Sequence, residues 1–582
     1  MRFILKTFTY CTAAVGAAAA VASADTVFPA SDYTPRPSEY SSPRALKGGR
    51  IRVGGGVVPK SLNYLLDNNV FSAQVFTMMY ESLLGSDDST GDYAPGLAKE
   101  WRVSDDGGSF TFVIDPDARW SDGRPVCAED VRWSFDAIMN PAHMTGPMKV
   151  ALAAFTQTPP EILAPDTIRF TASETHWRNL GAAGGFPIMP KHAFEGKDFN
   201  KLNYEFPVVS GPYRRGELRE NISLEMKRRP DWWGASRPEN ANTYNFDTIE
   251  FVFFSGNGNA WDAFRKGAFD FMAIYSARIW ERETAGEKFD NNWIVKRAVR
   301  NKQPTGFQGF AMNMRRFPYD DPRVRQALAH LLDRRSMNET MMFNAYFLHR
   351  SYFEDLYDEN EFPCPNPFYE FDPDKASALL AEAGWRADPA TGKLTKDGKP
   401  LVLKFLQRGG SNDRFLARYK NDLARVGIGL EIDAKDWGAW SRDMEAREFD
   451  ITWAAWSSGL KKDPEGMWHS SQAQTEGGNN ITGFADAQVD ALIEKQKTEM
   501  SLTARNAICR EIDFLITSQT PYILLWNADT RRLVWWNKFG IPETVISKFG
   551  SEDDALRYWW YDPDSAAALA DAMKNDLPLP AP

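Results

Sequence analysis

The chain has 582 residues, 43% of them hydrophobic and 25% charged, with only 4 Cys. This is globular composition: it excludes a disordered, collagenous or disulfide-scaffold chain, and the length requires several compact units. A formal net charge of -10 argues against a nucleic-acid binder, which needs a dominant basic face.

Arg2 and Lys6 are followed by an apolar, Ala-rich stretch over residues 12–21, then by Ala22-Ser23-Ala24 before Asp25. This is the order of a secretory signal, with cleavage expected after Ala24. The apolar run is shorter than the ~20 residues of a bilayer span, and no later stretch reaches that length without charges or Gly/Pro. Cys11 precedes the small-residue site rather than following it, so no lipid anchor is expected. Cys127, Cys364 and Cys509 remain, far apart and without CxxC spacing; they are buried thiols or form at most one bridge, and no metal site is expected.

Residues 25–48 are rich in Ser, Pro and Tyr with no apolar period, which predicts an extended leader, lying on the surface or disordered. Strands are predicted at residues 51–53, 110–114 and 249–253, interleaved with helices, so the class is mixed α/β. Gly54-Gly55-Gly56 has neither GxGxxG spacing nor a GK[ST] ending and predicts a tight turn rather than a phosphate cradle. Asp321-Pro322 opens a helix whose Val324, Ala327, Leu328, Leu331 and Leu332 form one stripe. Asp372-Pro373 opens another, with Ala376, Leu379, Leu380 and Ala383 facing inward and Gly384 as its cap. Val489/Leu492/Ile493 and Ile508/Ile512/Leu515/Ile516 predict a helical pair, and residues 521–526 a buried strand.

Catalytic chemistry finds no support. The six His include no HExxH, and no GxSxG elbow is present. Adjacent acids such as Asp105-Asp106 and Asp553-Asp554 read as solvated faces. No enzyme, cofactor or resident metal is expected. The unusual quantity is the aromatic load, 20 Trp with 38 Phe and 19 Tyr, several Trp standing near polar or Gly residues, in Trp437-Gly-Ala-Trp440, residues 453–459 and Trp468-His469. Most Trp in so long a chain fill cores, but the flat face and single donor of an indole also suit ligand stacking. Residues 449–456 read as a strand ending in small residues, where an exposed backbone edge can pair with an extended peptide.

Several motifs resemble, in order, those of the extracellular solute-binding proteins of family 5, the oligopeptide-, dipeptide- and nickel-binding receptors of ABC importers. They are Met79-Tyr80-Glu81-Ser82-Leu83, Pro95-Gly96-Leu97-Ala98-Lys99-Glu100-Trp101, Trp120-Ser121-Asp122-Gly123-Arg124-Pro125, Gly211-Pro212-Tyr213, Arg229-Pro230-Asp231-Trp232-Trp233 and Arg323-Val324-Arg325-Gln326-Ala327-Leu328. The run over residues 304–310 with Asn313-Met314-Arg315-Arg316 and Tyr352-Phe353 is most similar to the YejA-like branch, whose members take oligopeptides, some with blocked amino termini or attached groups.

The resemblance implies a two-lobed periplasmic-binding-protein (Venus-flytrap) fold of type II with an inserted domain. Its expected division is lobe I from 49–80, 207–305 and 528–582, an inserted domain over 81–206 and lobe II over 306–527. It implies ligand contacts from Asn69, Phe71, Arg408, Trp437, Trp440, Trp453, Ala455, Trp456, Ser457, Gly459 and Asp463. In the dipeptide and oligopeptide receptors a carboxylate shortly after the Trp of the equivalent strand binds the peptide ammonium. Here Gly459 stands third after Trp456, and the nearest acid is Asp463, beyond Lys461-Lys462, which would partly satisfy it. Selection for a free amine is therefore expected to be weak. The implied function is that of a monomeric periplasmic receptor delivering oligopeptide or peptide-like ligands to an inner-membrane ABC permease. The rival readings are a receptor for oligosaccharides or a metal chelate and, from another class, a secreted hydrolase.

Overall fold

The computed structural model describes residues 25–254, 257–409 and 412–581. The expected signal sequence, with Cys11, lies outside the described residues. Three large sheets organise the fold. The first lobe holds a seven-stranded sheet in the order Ile294–Val299, Arg531–Trp536, Phe271–Ala273, Arg50–Gly56, Thr248–Phe253, Ser223–Arg228, Tyr213–Arg219, so early, middle and late segments meet in one layer. Gly54 and Gly55 extend the Arg50–Gly56 strand rather than turning; Gly56 alone there takes a positive φ, +67°. A Cβ on Gly55 would stand 3.0 Å from the Phe253 ring, so glycine lets the neighbouring strand approach.

The inserted domain carries a five-stranded antiparallel sheet ordered Thr26–Phe28, Ala98–Val103, Ser109–Ile114, Thr167–Thr171, Glu161–Ala164. Its first strand comes from the leader. Lacking an apolar period, that segment is still ordered by pairing, Phe28 opposite Trp101 with the rings stacked at 5.6 Å. One continuous apolar cluster runs from Ile51 and Phe251 of the first lobe through Leu83, Phe112 and Phe170 of the inserted domain. Close-packed interiors deform little, so these two parts form a single body.

The second lobe is built on a five-stranded sheet ordered Gly429–Lys435, Val402–Arg408, Ile451–Trp456, Phe307–Met312, Tyr522–Leu524. Separate apolar clusters cover its faces, one around Phe310, Leu328 and Leu403, the other around Phe307, Trp468 and Ile512. Helix Pro322–His330 supplies Val324, Ala327 and Leu328 to the first, with Asp321 accepting from the Arg323 N–H as its cap. Helices Ala487–Thr498 and Leu502–Gln519 pack as a pair against the second. The stretch expected as one strand over 521–526 is two, Tyr522–Leu524 and Trp526–Asn527. The chain crosses between the first- and second-lobe sheets at 300–306 and again at 528–530, and an ion pair between Arg300 and Asp529 ties the crossings together. Cys127, Cys364 and Cys509 are free thiols.

Candidate ligand site

The second-lobe sheet splays open at one point. Strand Ile451–Trp456 pairs along its whole length with Phe307–Met312, from Ile451 opposite Met312 to Trp456 opposite Phe307. On its other side it meets Val402–Arg408 only at Ile451 and Thr452. Beyond that point Gln407 and Arg408 stay with Ala434 and Lys435 of the next strand. The Asn313 N–H donates to the Asp450 carbonyl at 2.9 Å. In an antiparallel ladder the bonded pairs then recur every second residue, through Thr452, Ala454 and Trp456. The N–H and C=O of Trp453 and Ala455 consequently point to the side where the partner strand has left. Ala455 is exposed there.

The gap opens into a cavity of about 560 Å³, lined among others by Gln308, Gln407, Arg408, Trp437, Trp440 and Trp453. Asp436 caps the helix Trp437–Glu445 by accepting from the Ala439 N–H, which puts Trp437 and Trp440 one turn apart on one face. Their rings stack at 5.4 Å, 27° from parallel, and the Arg408 guanidinium lies 5.1 Å from the first and 5.7 Å from the second. The three groups thus form a triangle of mutual contacts, each worth about 0.5–1.5 kcal/mol. Trp437 nevertheless remains 61% exposed, an apolar surface left open at the cavity mouth.

Polar groups inside are partly committed. Gln308 accepts from the Trp453 indole N–H at 2.9 Å and donates to the Trp526 carbonyl at 2.7 Å. Gln407 donates to Asp413 at 2.8 Å, while its amide oxygen and the Trp440 indole N–H have no partner. Unsatisfied buried polar atoms are costly, so this wall carries an acceptor and a donor with unmet hydrogen-bonding capacity. Among the described residues lining this cavity none is a carboxylate, and Arg408 is its one formal charge.

Of the eleven residues singled out in the sequence, Arg408, Trp437, Trp440, Trp453, Ala455 and Trp456 line this cavity together. Ser457 and Gly459 are exposed just past it. Asn69 and Phe71 do not line it: Asn69 caps the helix Val70–Met79 by accepting from the Ser72 N–H, and Phe71 packs edge-on against Phe251 and Phe253 at 5.1 and 5.6 Å. Asp463 also lies off the cavity, and its partner corrects the expectation that the neighbouring lysines satisfy it. It pairs with Arg178 of the inserted domain at 2.8 Å, while Lys462 turns to Asp355 at 2.6 Å and Lys461 to the ring of Tyr93. Gln308 and Gln407 were not singled out; the only signals were a lone amide in the otherwise apolar strand Phe307–Met312 and an amide beside Arg408.

The family model of bacterial extracellular solute-binding proteins, family 5 (middle), matches residues 92–478. The chain belongs to this family. It is 27% identical over 580 residues to the uncharacterised protein YejA of Escherichia coli K12, covering 92% of both chains. It is 26% identical over 567 residues to a probable peptide-binding protein YejA of Agrobacterium fabrum, covering 90% of this chain and 91% of that one. The oligopeptide-binding protein AppA of Bacillus subtilis, solved with a nonapeptide, superposes with a TM-score of 0.70 at 20% identity, over 89% of this chain and all of that one. That likeness establishes the two-lobed type II fold.

Proposed function

We propose that this chain captures oligopeptides or peptide-like ligands in the periplasm and hands them to an ABC permease. The observation that carries this reading is the open backbone edge at Trp453 and Ala455 beside a tryptophan-lined cavity. Main-chain groups presented in strand geometry bind any extended peptide alike, and apolar surfaces on either side accept varied side chains. The YejA relative described as peptide-binding and the fold shared with a nonapeptide-bound receptor support the same ligand class.

The ligand is held with no carboxylate to pair its ammonium, so a blocked amino terminus is accepted as well as a free one. Two rigid bodies joined by two short crossings close over it, and affinity resides in contacts made only on closure. Among the described residues no helix is long and apolar enough to cross a membrane, in keeping with a released receptor whose signal is cut after Ala24. The test is native mass spectrometry of protein purified from cells. Co-purified peptide supports the reading; a bound saccharide or metal chelate in its place overturns it.

A further inference from the structure

A second, larger cavity of about 790 Å³ lies where the inserted domain meets the second lobe, away from the tryptophan site. Phe28, Tyr93, Trp101 and Trp177 wall it from the leader and the inserted domain, Lys461 and Arg505 from the second lobe. Its volume is that of an ordinary small-molecule site. Two of the buried polar groups in its wall are donors without acceptors. Trp101 is 3% exposed, and its indole N–H has no partner. Arg505 is 5% exposed; one terminal nitrogen donates to the carbonyls of Glu499 and Met500 at 2.9 and 2.8 Å, but its Nε–H has no partner.

The Lys461 ammonium stands 3.2 Å from the centroid of the Tyr93 ring and forms no hydrogen bond or ion pair with the described residues. Burial pushes it down to about 8. Three acids also line the cavity, all exposed: Asp92, whose charge acts on Lys461, Asp105, and Asp106, which is already bonded to the Ser104 hydroxyl and the Gly108 N–H. His176, also in the wall, accepts from the Arg178 N–H at Nδ1, so in its neutral form its own proton is on Nε2, 3.7 Å from Glu465. Two buried, unsatisfied donors and the half-buried Lys461 ammonium, inside aromatic walls, are costly when empty. Their complement is an acidic head on an apolar body.

We propose that this cavity is a second ligand site, distinct from the tryptophan cavity, for an amphipathic anion: a carboxylate, sulfonate or phosphate head contacting Lys461, Arg505 and Trp101, with an aromatic or acyl body between Phe28, Tyr93 and Trp177. The test is fluorescence titration of the full chain with 1-anilinonaphthalene-8-sulfonate, alongside the uncharged N-phenyl-1-naphthylamine. One anilinonaphthalenesulfonate binds per chain, and the uncharged probe binds about tenfold more weakly, the loss expected for a charge-assisted hydrogen bond. Lys461→Met, which removes the ammonium lying on the Tyr93 ring, weakens the anionic probe by about tenfold and leaves the neutral one unchanged. Trp440→Ala, in the other cavity, changes neither. Equal binding of the two probes, an unaltered titration in Lys461→Met, or loss of binding in Trp440→Ala overturns the proposal.

Discussion

Arg178 of the inserted domain holds Asp463 of the second lobe at 2.8 Å, and the same nitrogen reaches Glu465 at 2.9 Å. His176, 3.7 Å away, Lys497, bonded at 2.9 Å, and Arg178 together hold the Glu465 carboxyl well below the usual range. The first acid after the tryptophan strand is thus spent on fastening the two bodies together. Asp463→Asn should therefore leave the ratio of affinities for free and capped peptides unchanged. Calorimetric titration of both on the variant checks this; a ratio altered about tenfold would place Asp463 at the ligand.

Proline substitutions at Ala454 and Ala455 should part company. The Ala454 N–H bonds within the sheet opposite Gly309, so Ala454→Pro costs about 3 kcal/mol or more and unfolds much of the protein. The Ala455 N–H faces the unpaired edge. Ala455→Pro should keep a wild-type circular dichroism spectrum and melting temperature yet bind peptides about tenfold more weakly, the loss of one main-chain hydrogen bond in a desolvated site. Equal stability of the two variants would contradict the assigned ladder.

Gly306 sits where the chain enters the second lobe, and a Cβ there would lie 1.9 Å from the Trp456 carbonyl oxygen. That atom is backbone and cannot swing away. Gly306→Ala should lower stability by about 1–3 kcal/mol through strain at this close contact. The measurement is the midpoint of urea unfolding, and an unchanged midpoint would count against so close an approach.

Asp513 is fully buried and accepts from the Ser351 hydroxyl, the Tyr352 N–H, the Asn366 amide and the Tyr357 hydroxyl. Even so, burial pushes its carboxyl up to about 6 from 3.8. Between those values the folded state binds the proton and the unfolded state has lost it. This group therefore adds stability as pH falls from about 6 to 4 and withdraws it as pH rises through 6. The stability advantage of wild type over Asp513→Asn should grow between pH 7 and pH 5, by on the order of 1 kcal/mol. A constant or shrinking advantage in denaturant titrations at the two pH values would refute the shift.

Local signals in the sequence reached far into this structure. Asp321-Pro322 and Asp372-Pro373 mark helix starts because a side-chain cap and a fixed φ act within one turn. Trp437 and Trp440 are legible as a pair by their helical spacing, and Arg408 joins them at the end of a strand that pairs in parallel with residues 429–435. What was illegible depends on contacts distant in sequence. No local pattern shows that Arg178 takes Asp463, or that the unpatterned leader becomes a strand against Ala98–Val103. Asn69 and Phe71, placed by resemblance alone, lie outside the tryptophan cavity, at a helix cap and in an aromatic cluster.

The central claim is a peptide held by backbone and tryptophan surface with no anchor for its ammonium. It is tested most directly by calorimetric titration of one peptide carrying a free or an acetylated amino terminus. The account predicts dissociation constants that agree within about threefold, since no charge-assisted bond is lost on capping. A preference of tenfold or more for the free amine, about 1.4 kcal/mol, would reveal an anchoring acid and contradict it.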